Sequence, residues 1–501
     1  MSNFFKGIAL FVLISCGDWV AVLWHWESTA RDMNTRDIVV YLGLLPLTVF
    51  GLALLLRWAW LGAAQRHAQA AAVPAAGVAT ASGAAPDADD ARRHATVQLL
   101  AAHLVCAAGA SAAELQAAAK EGMPRPALDP ELLDADGLPV LTARIKDLDL
   151  AALVPLLEPL LAATRTQRPE WAGLGAPEHV QRALAALQEP LASTLAALVP
   201  WSARFEPGPG AAPGQPAERR VRVLLGWPAD WSAFEQELGR SFATWLIAQG
   251  GAAPIPVACF AITSHAGSGE DLLLHADRLL QTLAREGRDE PLIVAACHSA
   301  IGEGALQVLE RDGLLYSSQK RPKGRMPGEA AAALLIAGAD WPAAPDADGD
   351  SPVPHLHRPA VLRRDKSVDA PGRVSSDVVL QAMTQALAAS GLGADAVAAL
   401  ACDADQHSAR GPEFFGGGLG LLPHLDSGED MRLIATVTGA VGAVSALLVL
   451  ACAAERAKAG GKPCLAATLG DSFLRLALVA LPGPPLPRAA AAVATPASAA
   501  A

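Results

Sequence analysis

Two apolar runs near the start of the chain, residues 8–24 (broken by Asp18) and residues 38–61, limit its folding options more than any other feature. An α-helix rises about 1.5 Å per residue and the hydrocarbon layer is about 30 Å thick, so each run is long enough to span a bilayer as a helix. The segment between them, residues 27–37, is short and polar, which predicts a transmembrane helical hairpin over residues 1–62 with both ends on one side. Trp19, Trp24, Trp26, Trp58 and Trp60 stand where an interfacial aromatic belt belongs. Lys6, Arg57 and Arg66 outside the hairpin tip oppose Arg31 and Arg36 inside it, so charge orients the hairpin only weakly. Leu13-Ile14-Ser15-Cys16 is passable as a lipoprotein cleavage site, but cleavage there leaves the second run unexplained. Asp18 reads as a residue snorkelling from a helix end rather than as an intramembrane functional carboxylate.

At 501 residues the chain exceeds what one core usually serves, which predicts two globular units besides the hairpin. A formal net charge of −11 gives no basic field to displace counterions from nucleic acid, and nucleic acid is excluded as a partner. The seven Cys are scattered singly, without CxxC pairs, which argues against a disulfide framework or zinc ribbon and fits a reducing compartment. The body of the protein is therefore expected on the cytosolic side of its membrane.

Residues 63–95, rich in Ala with Gly, Pro and Ser, read as a flexible tether. Residues 96–206 carry apolar positions at helical spacing, as in Val97-Gln98-Leu99-Leu100 and Leu150-Leu153-Leu156-Leu157-Leu160, around one expected strand at residues 140–145; this predicts a small α+β module. Residues 207–219 are a Pro/Gly connector. From residue 220 to 482 strands and helices alternate, the signature of an α/β layered domain. Expected strands fall at 221–225, 255–262, 292–296, 330–337, 396–401, 463–469 and 474–481, and expected helices at 233–249, 272–285, 304–311, 376–389 and 442–459. The apolar part of the last of these, residues 442–453, is too short for a third span and is followed at once by Glu455-Arg456-Ala457-Lys458, so it reads as a buried core helix. Residues 346–373 read as a polar loop, and the tail 483–501 as low-complexity sequence.

Within that domain, Gly324-Arg325-Met326-Pro327-Gly328-Glu329 and the small residues that follow resemble the segment entering a central strand of β-ketoacyl synthases and other thiolase-fold proteins. Thr438-Gly439-Ala440-Val441-Gly442-Ala443-Val444-Ser445 resembles the Gly-rich loop before the buried C-terminal helix of the same family. The resemblance implies a site with a Cys nucleophile at a helix N-terminus and two imidazoles polarising a thioester. This chain departs from that pattern. The nucleophile position is expected near Thr263-Ser264-His265, with Ser264 in place of Cys; Gly439 stands where a His belongs, and only His407 matches a second His. These are therefore vestigial positions in a degenerate, non-condensing domain, with no catalytic residue, cofactor or metal expected. Hairpin, tether, small module and degenerate domain together resemble the adaptor proteins of type VI secretion lipase effectors. That resemblance implies protein–protein work: holding a phospholipase effector and passing it to the secretion spike protein. A homodimer is a further implication of the fold family.

An acyl- or ester-processing enzyme, a serine hydrolase or acyltransferase, is the competing reading. Ala296-Cys297-His298-Ser299-Ala300-Ile301 has the strand–turn–helix layout of a nucleophile elbow, with Ser299 as the alternative nucleophile and Asp340, Asp403 and His407 as formal triad partners. An elbow demands very small residues two before and two after the Ser, where Cys297 and Ile301 stand, so the enzyme reading ranks second. His355 and His357 lack ligand-spaced partners and read as a solvated loop. Gly416-Gly417-Gly418 reads as a flexible loop without the Lys-Ser/Thr of a phosphate cradle, and Glu329 as a cap on backbone amides.

Overall fold

The computed structural model describes residues 95–206, 219–249, 254–344 and 352–484. Both apolar runs, nearly all of the tether and connector, and the tail beyond residue 484 lie outside the described residues. Among the described residues no single helix is long and apolar enough to cross a membrane.

In chain order the elements are β1 (Thr96–Cys106), α1 (Ala112–Glu121), β2 (Ala127–Leu133), β3 (Pro139–Thr142), α2 (Leu150–Arg165), α3 (Glu178–Ala196), β4 (Val221–Trp227), α4 (Ala233–Ala248), β5 (Phe260–Ala266), α5 (Gly269–Arg285), β6 (Leu292–Ser299) and α6 (Glu303–Arg311). Then follow β7 (Glu329–Gly338), β8 (His355–His357), β9 (Ala360–Arg363), α7 (Asp377–Ser390), β10 (Ala399–Cys402), α8 (Arg410–Leu421), β11 (Met431–Leu433), α9 (Ala435–Thr438), α10 (Val444–Gly460), β12 (Cys464–Thr468) and β13 (Leu474–Leu481).

One mixed sheet runs in the order β11-β10-β12-β13-β8-β1-β7-β6-β4-β5, with β9 paired to β13, while β2 and β3 form a separate hairpin. The two ends of this order repeat one plan. Parallel β5, β4 and β6 are followed by antiparallel β7, and parallel β11, β10 and β12 by antiparallel β13. Strands β1 and β8 join the halves, β1 pairing with β7 and β8, and β8 with β13.

Alternation along the strands sorts side chains into layers. Leu292, Val294 and Ala296 of β6 share a core with Ala399 and Ala401 of β10, Leu476 and Leu478 of β13, and the helices α1, α5 and α10. The other face is covered in the first half by α2, α3 and α4, and in the second by α7 and α8. Helix α10 is apolar nearly all round because it is enclosed in the shared core, as expected of residues 442–459. Helices α5 and α10 approach so closely that a Cβ at Gly269 would lie 2.7 Å from the Ala446 Cβ and 3.0 Å from the Ala443 carbonyl oxygen. Small residues at this crossing are what allow both helices to start at one point.

Several expectations are corrected. Residues 96–206 are not a separate α+β module: β1 lies mid-sheet, and α3 packs on β7, β6 and β1. The helical reading of residues 97–100 failed because β1 is apolar on both faces, Leu99 and Leu104 facing one core and Leu100 and Val105 the other, which erases the two-residue period. The strand expected at 255–262 is displaced to β5. The polar loop 346–373 contains β8 and β9, and His355 and His357 are buried in β8 rather than solvated. Gly416-Gly417-Gly418 lies within α8, where Cβ atoms at Gly417 and Gly418 would fall 2.7 Å from Val379 and 2.8 Å from Leu400; these glycines serve close packing.

Candidate functional site

The two family-like motifs, more than a hundred residues apart, meet in space. The Ala440 N–H donates to the Met326 carbonyl at 2.9 Å. A Cβ at Gly328 would fall 2.2 Å from the Thr438 carbonyl oxygen, so only glycine fits there. Gly439 takes a left-handed φ of +67°, which glycine adopts without strain. Together these turns form one side of a cavity of about 490 Å³. Its other walls are the β5–α5 turn, the end of β6 with His298 and Ser299, Asp403 and Asp405 after β10 with Arg410 of α8, and the β12–β13 loop from Gly470 to Phe473.

The tip of α5 is a helix N-terminus opening on this cavity, the kind of position at which the family resemblance leads one to expect a Cys nucleophile. Ser264 is not there: it is an exposed residue inside β5, paired in register with Leu225. The tip carries Gly267, Ser268 and Gly269. Ser268 caps the helix, its hydroxyl accepting the Asp271 N–H and donating to the Asp271 carboxylate, both at 3.2 Å. Six Cys are among the described residues, all of them buried, and none lines this cavity. Burial pushes the Cys106 thiol up to about 11 and the Cys464 thiol up to about 12.

Gly439 lines the cavity as expected, with no side chain to offer. His407 is buried outside it. Its Nδ1 accepts the Ala409 N–H at 3.1 Å, which leaves Nε2, 3.1 Å from Asp369 Oδ1, as the protonated nitrogen. The hydrogen bond from His407 is the main cause holding the Asp369 carboxyl well below its usual range. Ser299 does line the cavity, but its Oγ accepts the Ile301 N–H at 3.1 Å, and α6 begins only at Glu303, so β6 ends in an ordinary turn rather than an elbow. Asp340 borders a different cavity beside Thr96, and His407 is elsewhere, so no triad assembles around Ser299. The imidazole nearest in sequence is His298, whose Nδ1 has no hydrogen-bond partner and sits 2.9 Å from where a Gly442 Cβ would be; burial lowers its pKa to about 4.

What the sequence left unmarked is a buried polar cluster at the cavity wall. Asp403 accepts the Leu469 N–H at 2.6 Å, the Gly470 N–H at 3.2 Å and the Ser445 hydroxyl at 3.0 Å. Glu270 accepts the Asp471 N–H at 3.2 Å. Arg410 reaches Asp405 at 2.9 Å and the Gly470 carbonyl at 2.8 Å. Burial, with Asp403 beside it, pushes the Glu270 carboxyl up to about 7, and burial also raises Asp403. These residues come from α5, the ends of β10 and β12, α8 and α10, so only the topology assembles them. Glu329 caps no amides: it is buried in an ion pair with Arg182 of α3, with contacts down to 2.8 Å. Among the described residues no three or more His, Cys, Asp or Glu are grouped to hold a metal ion.

No family model and no curated protein matches the chain. Solved structures do, in the thiolase-like ketosynthase fold. The ishigamide ketosynthase/chain length factor is 16% identical, with a TM-score of 0.47, over 77% of this chain and 99% of its own. The ketosynthase from module 6 of the bacillaene synthase of Bacillus subtilis is 12% identical, with a TM-score of 0.47, over 77% of this chain and 72% of its own. The ketosynthase in complex with its chain length factor from Xenorhabdus doucetiae is 14% identical, with a TM-score of 0.48, over 77% of this chain and 98% of its own. At such identities the likeness is one of fold, and no chemistry is taken from it.

Proposed function

We propose that this chain is a non-condensing, partner-binding protein: a membrane-tethered adaptor that holds a phospholipase effector in the cytosol and hands it to a type VI secretion spike. One observation carries the non-enzymatic half of this reading. The tip of α5, where a thiolate would gain from the helix dipole and free N–H groups, offers Gly267, a Ser268 committed to capping, and Gly269. The Asp271 carboxylate, already tied to Ser268, follows at once, and negative charge there opposes both a thiolate and an oxyanion. The adaptor half rests on the layout of the sequence, and is supported by exposed apolar side chains on the β2–β3 hairpin: Leu128 is 63% exposed, Leu133 54% and Leu138 60%.

The test uses the full chain in two assays. It is expected to form an isolable complex with a phospholipase effector encoded beside it, and to leave acyl thioesters unchanged whether or not an extender thioester is supplied. Turnover of an acyl thioester or ester that disappears in Ser299→Ala, with folding retained, would replace this reading with the enzyme one.

A further inference from the structure

The β12–β13 loop forms one wall of the cavity, and its backbone is held from beneath by two buried carboxyl groups on different elements. Asp403, at the end of β10, takes three donors: the Leu469 and Gly470 amides and the Ser445 hydroxyl. Glu270, in the first turn of α5, takes the Asp471 amide. The two carboxyls are near neighbours: the point where a Gly470 Cβ would stand is 2.8 Å from Asp403 Oδ2 and 3.7 Å from Glu270 Oε1. Both side chains are almost completely buried. Two adjacent buried carboxylates cannot both be charged without a large penalty. The better-solvated member keeps the charge, and the donor count makes that Asp403. Glu270 therefore carries the proton.

The other charged groups around the pair do not change this assignment. Arg410 of α8 is the cation facing it, and its guanidinium is already engaged by Asp405 and the Gly470 carbonyl. Asp471, on the loop itself, accepts the Phe473 and Leu474 amides at 2.6 and 2.8 Å. Asp271 lies beside Glu270 on α5, tied to Ser268. Asp369 faces Arg410 and is bonded to Ser472 and His407. The first turn of α10 presents only Ser445, which donates to Asp403.

We propose that Glu270 and Asp403 form a proton-dependent latch: with one proton shared between them Glu270 stays tucked under the loop and holds the Asp471 amide, and when both are charged Glu270 turns out into the cavity and frees it. Loss of the proton places a second negative charge where only two backbone N–H groups, its own and that of Asp471, face it, and no cation among the described residues is free to pair with it. The cavity side is open to the carboxylate, because Glu270 already lines it. Turning out breaks the Asp471 contact and loosens the 470–473 edge, while the Asp403 contacts keep Leu469 and Gly470 in place. The latch sets the shape and charge of the cavity wall independently of whether the cavity holds a ligand or does chemistry.

The test is hydrogen exchange of the full chain, read at the Asp471 amide and corrected for the intrinsic pH dependence of exchange. If ionisation is coupled to opening, protection falls by up to about tenfold for each pH unit as pH rises from the ordinary glutamate range toward the midpoint near neutrality, and levels off above it. Protection of the β6 amides stays constant over the same range. Glu270→Gln, which cannot ionise, is expected to keep Asp471 protected and to abolish the pH dependence. Ser445→Ala, which removes a donor from Asp403 and leaves Glu270 untouched, is expected to move the midpoint upward, and serves as the second variant if Glu270→Gln does not fold. Protection at Asp471 that is independent of pH in the unmodified chain, or the same pH dependence in Glu270→Gln, overturns the proposal.

Discussion

At the scale of single residues, the fold rests on a few buried charges whose partners come from distant parts of the chain. Arg182 and Glu329 are both buried, and each is the other's counter-ion across the α3–β7 contact. Arg182→Met leaves a buried carboxylate without its cation and is expected to cost about 3–5 kcal/mol. The double variant Arg182→Met, Glu329→Leu removes both charges and is expected to recover most of that loss. Urea denaturation of the three proteins checks it, and equal losses in single and double variants would mean that packing rather than pairing is at stake. The pH response follows from two other groups, with opposite signs. Glu270 has a folded pKa of about 7 against an ordinary 4.5, so the folded chain binds more protons than the unfolded one between those values, and stability declines as pH rises through that window. His298 has a folded pKa of about 4 against 6.5; its contribution is complete above 6.5 and is lost as pH falls toward 4. Glu270→Gln is expected to be more stable than the unmodified chain at pH 8, with the gap closing toward pH 5, as measured by urea midpoints. A gap that widened toward pH 5 would contradict the assignment. None of these partnerships was legible in the sequence: Glu329 stands 147 positions from Arg182, and nothing near either residue marks the other.

At the scale of elements, what could be read depended on whether an element shows one face or two. Helix α4 was legible as an amphipathic run, and the structure closes its start with a reciprocal capping box between Ser232 and Glu235. Strands β6, β7, β12 and β13 were legible as short apolar runs bounded by turn residues. Strand β1, apolar on both faces, looked helical, and β8 was invisible because three residues, His-Leu-His, carry no period. The candidate site was legible in outline, since the Pro327-Gly328 turn and the Gly439–Gly442 loop do line one cavity, but Ser264 and His407 fall outside it. The strand ends at Ala266 rather than 262, so the nucleophile position expected at 263–265 falls inside β5, and the helix expected from 272 starts at Gly269. The β2–β3 hairpin raises an element-scale expectation. It is braced by Asp129, which accepts from Arg144, Thr142 and the Glu131 and Leu132 amides, so its exposed leucines sit on a stiff support. Leu128→Asp with Leu133→Asp is expected to leave the melting temperature of the chain within a few degrees and to abolish co-purification with the phospholipase partner. Retained binding would remove the hairpin from the interface.

At the scale of the whole molecule, the repeated plan of the two half-sheets decides what can fold alone. Each half ends in an antiparallel strand, β7 or β13, and between these two ends the sheet is completed by β1 and β8. The sequence suggested a boundary near residue 207, because composition shifts there to proline and glycine and the texture beyond it becomes regular. Composition registers the connector but not where the chain before it goes. Strand β1 pairs with β7 from Cys106–Ala330 to Val97–Gly338, and α3 covers Ala331, Ala333 and Leu335 on the outer face. A fragment of residues 220–484 would keep both repeated units but lose the strand that joins them. It would expose one whole edge of β7, a long, flat, alanine- and leucine-rich edge of the kind that pairs with other chains. It would also uncover the apolar face beneath α3, including side chains that are wholly buried in the intact body. That fragment is therefore expected to aggregate, or to unfold without a cooperative transition, whereas residues 95–484 unfold cooperatively, and adding residues 95–206 as a separate polypeptide rescues solubility. Calorimetry on the three preparations decides it. A cooperative transition for residues 220–484 alone, at the temperature of the longer fragment, would mean that β1 and α3 are attachments to a finished domain rather than its centre.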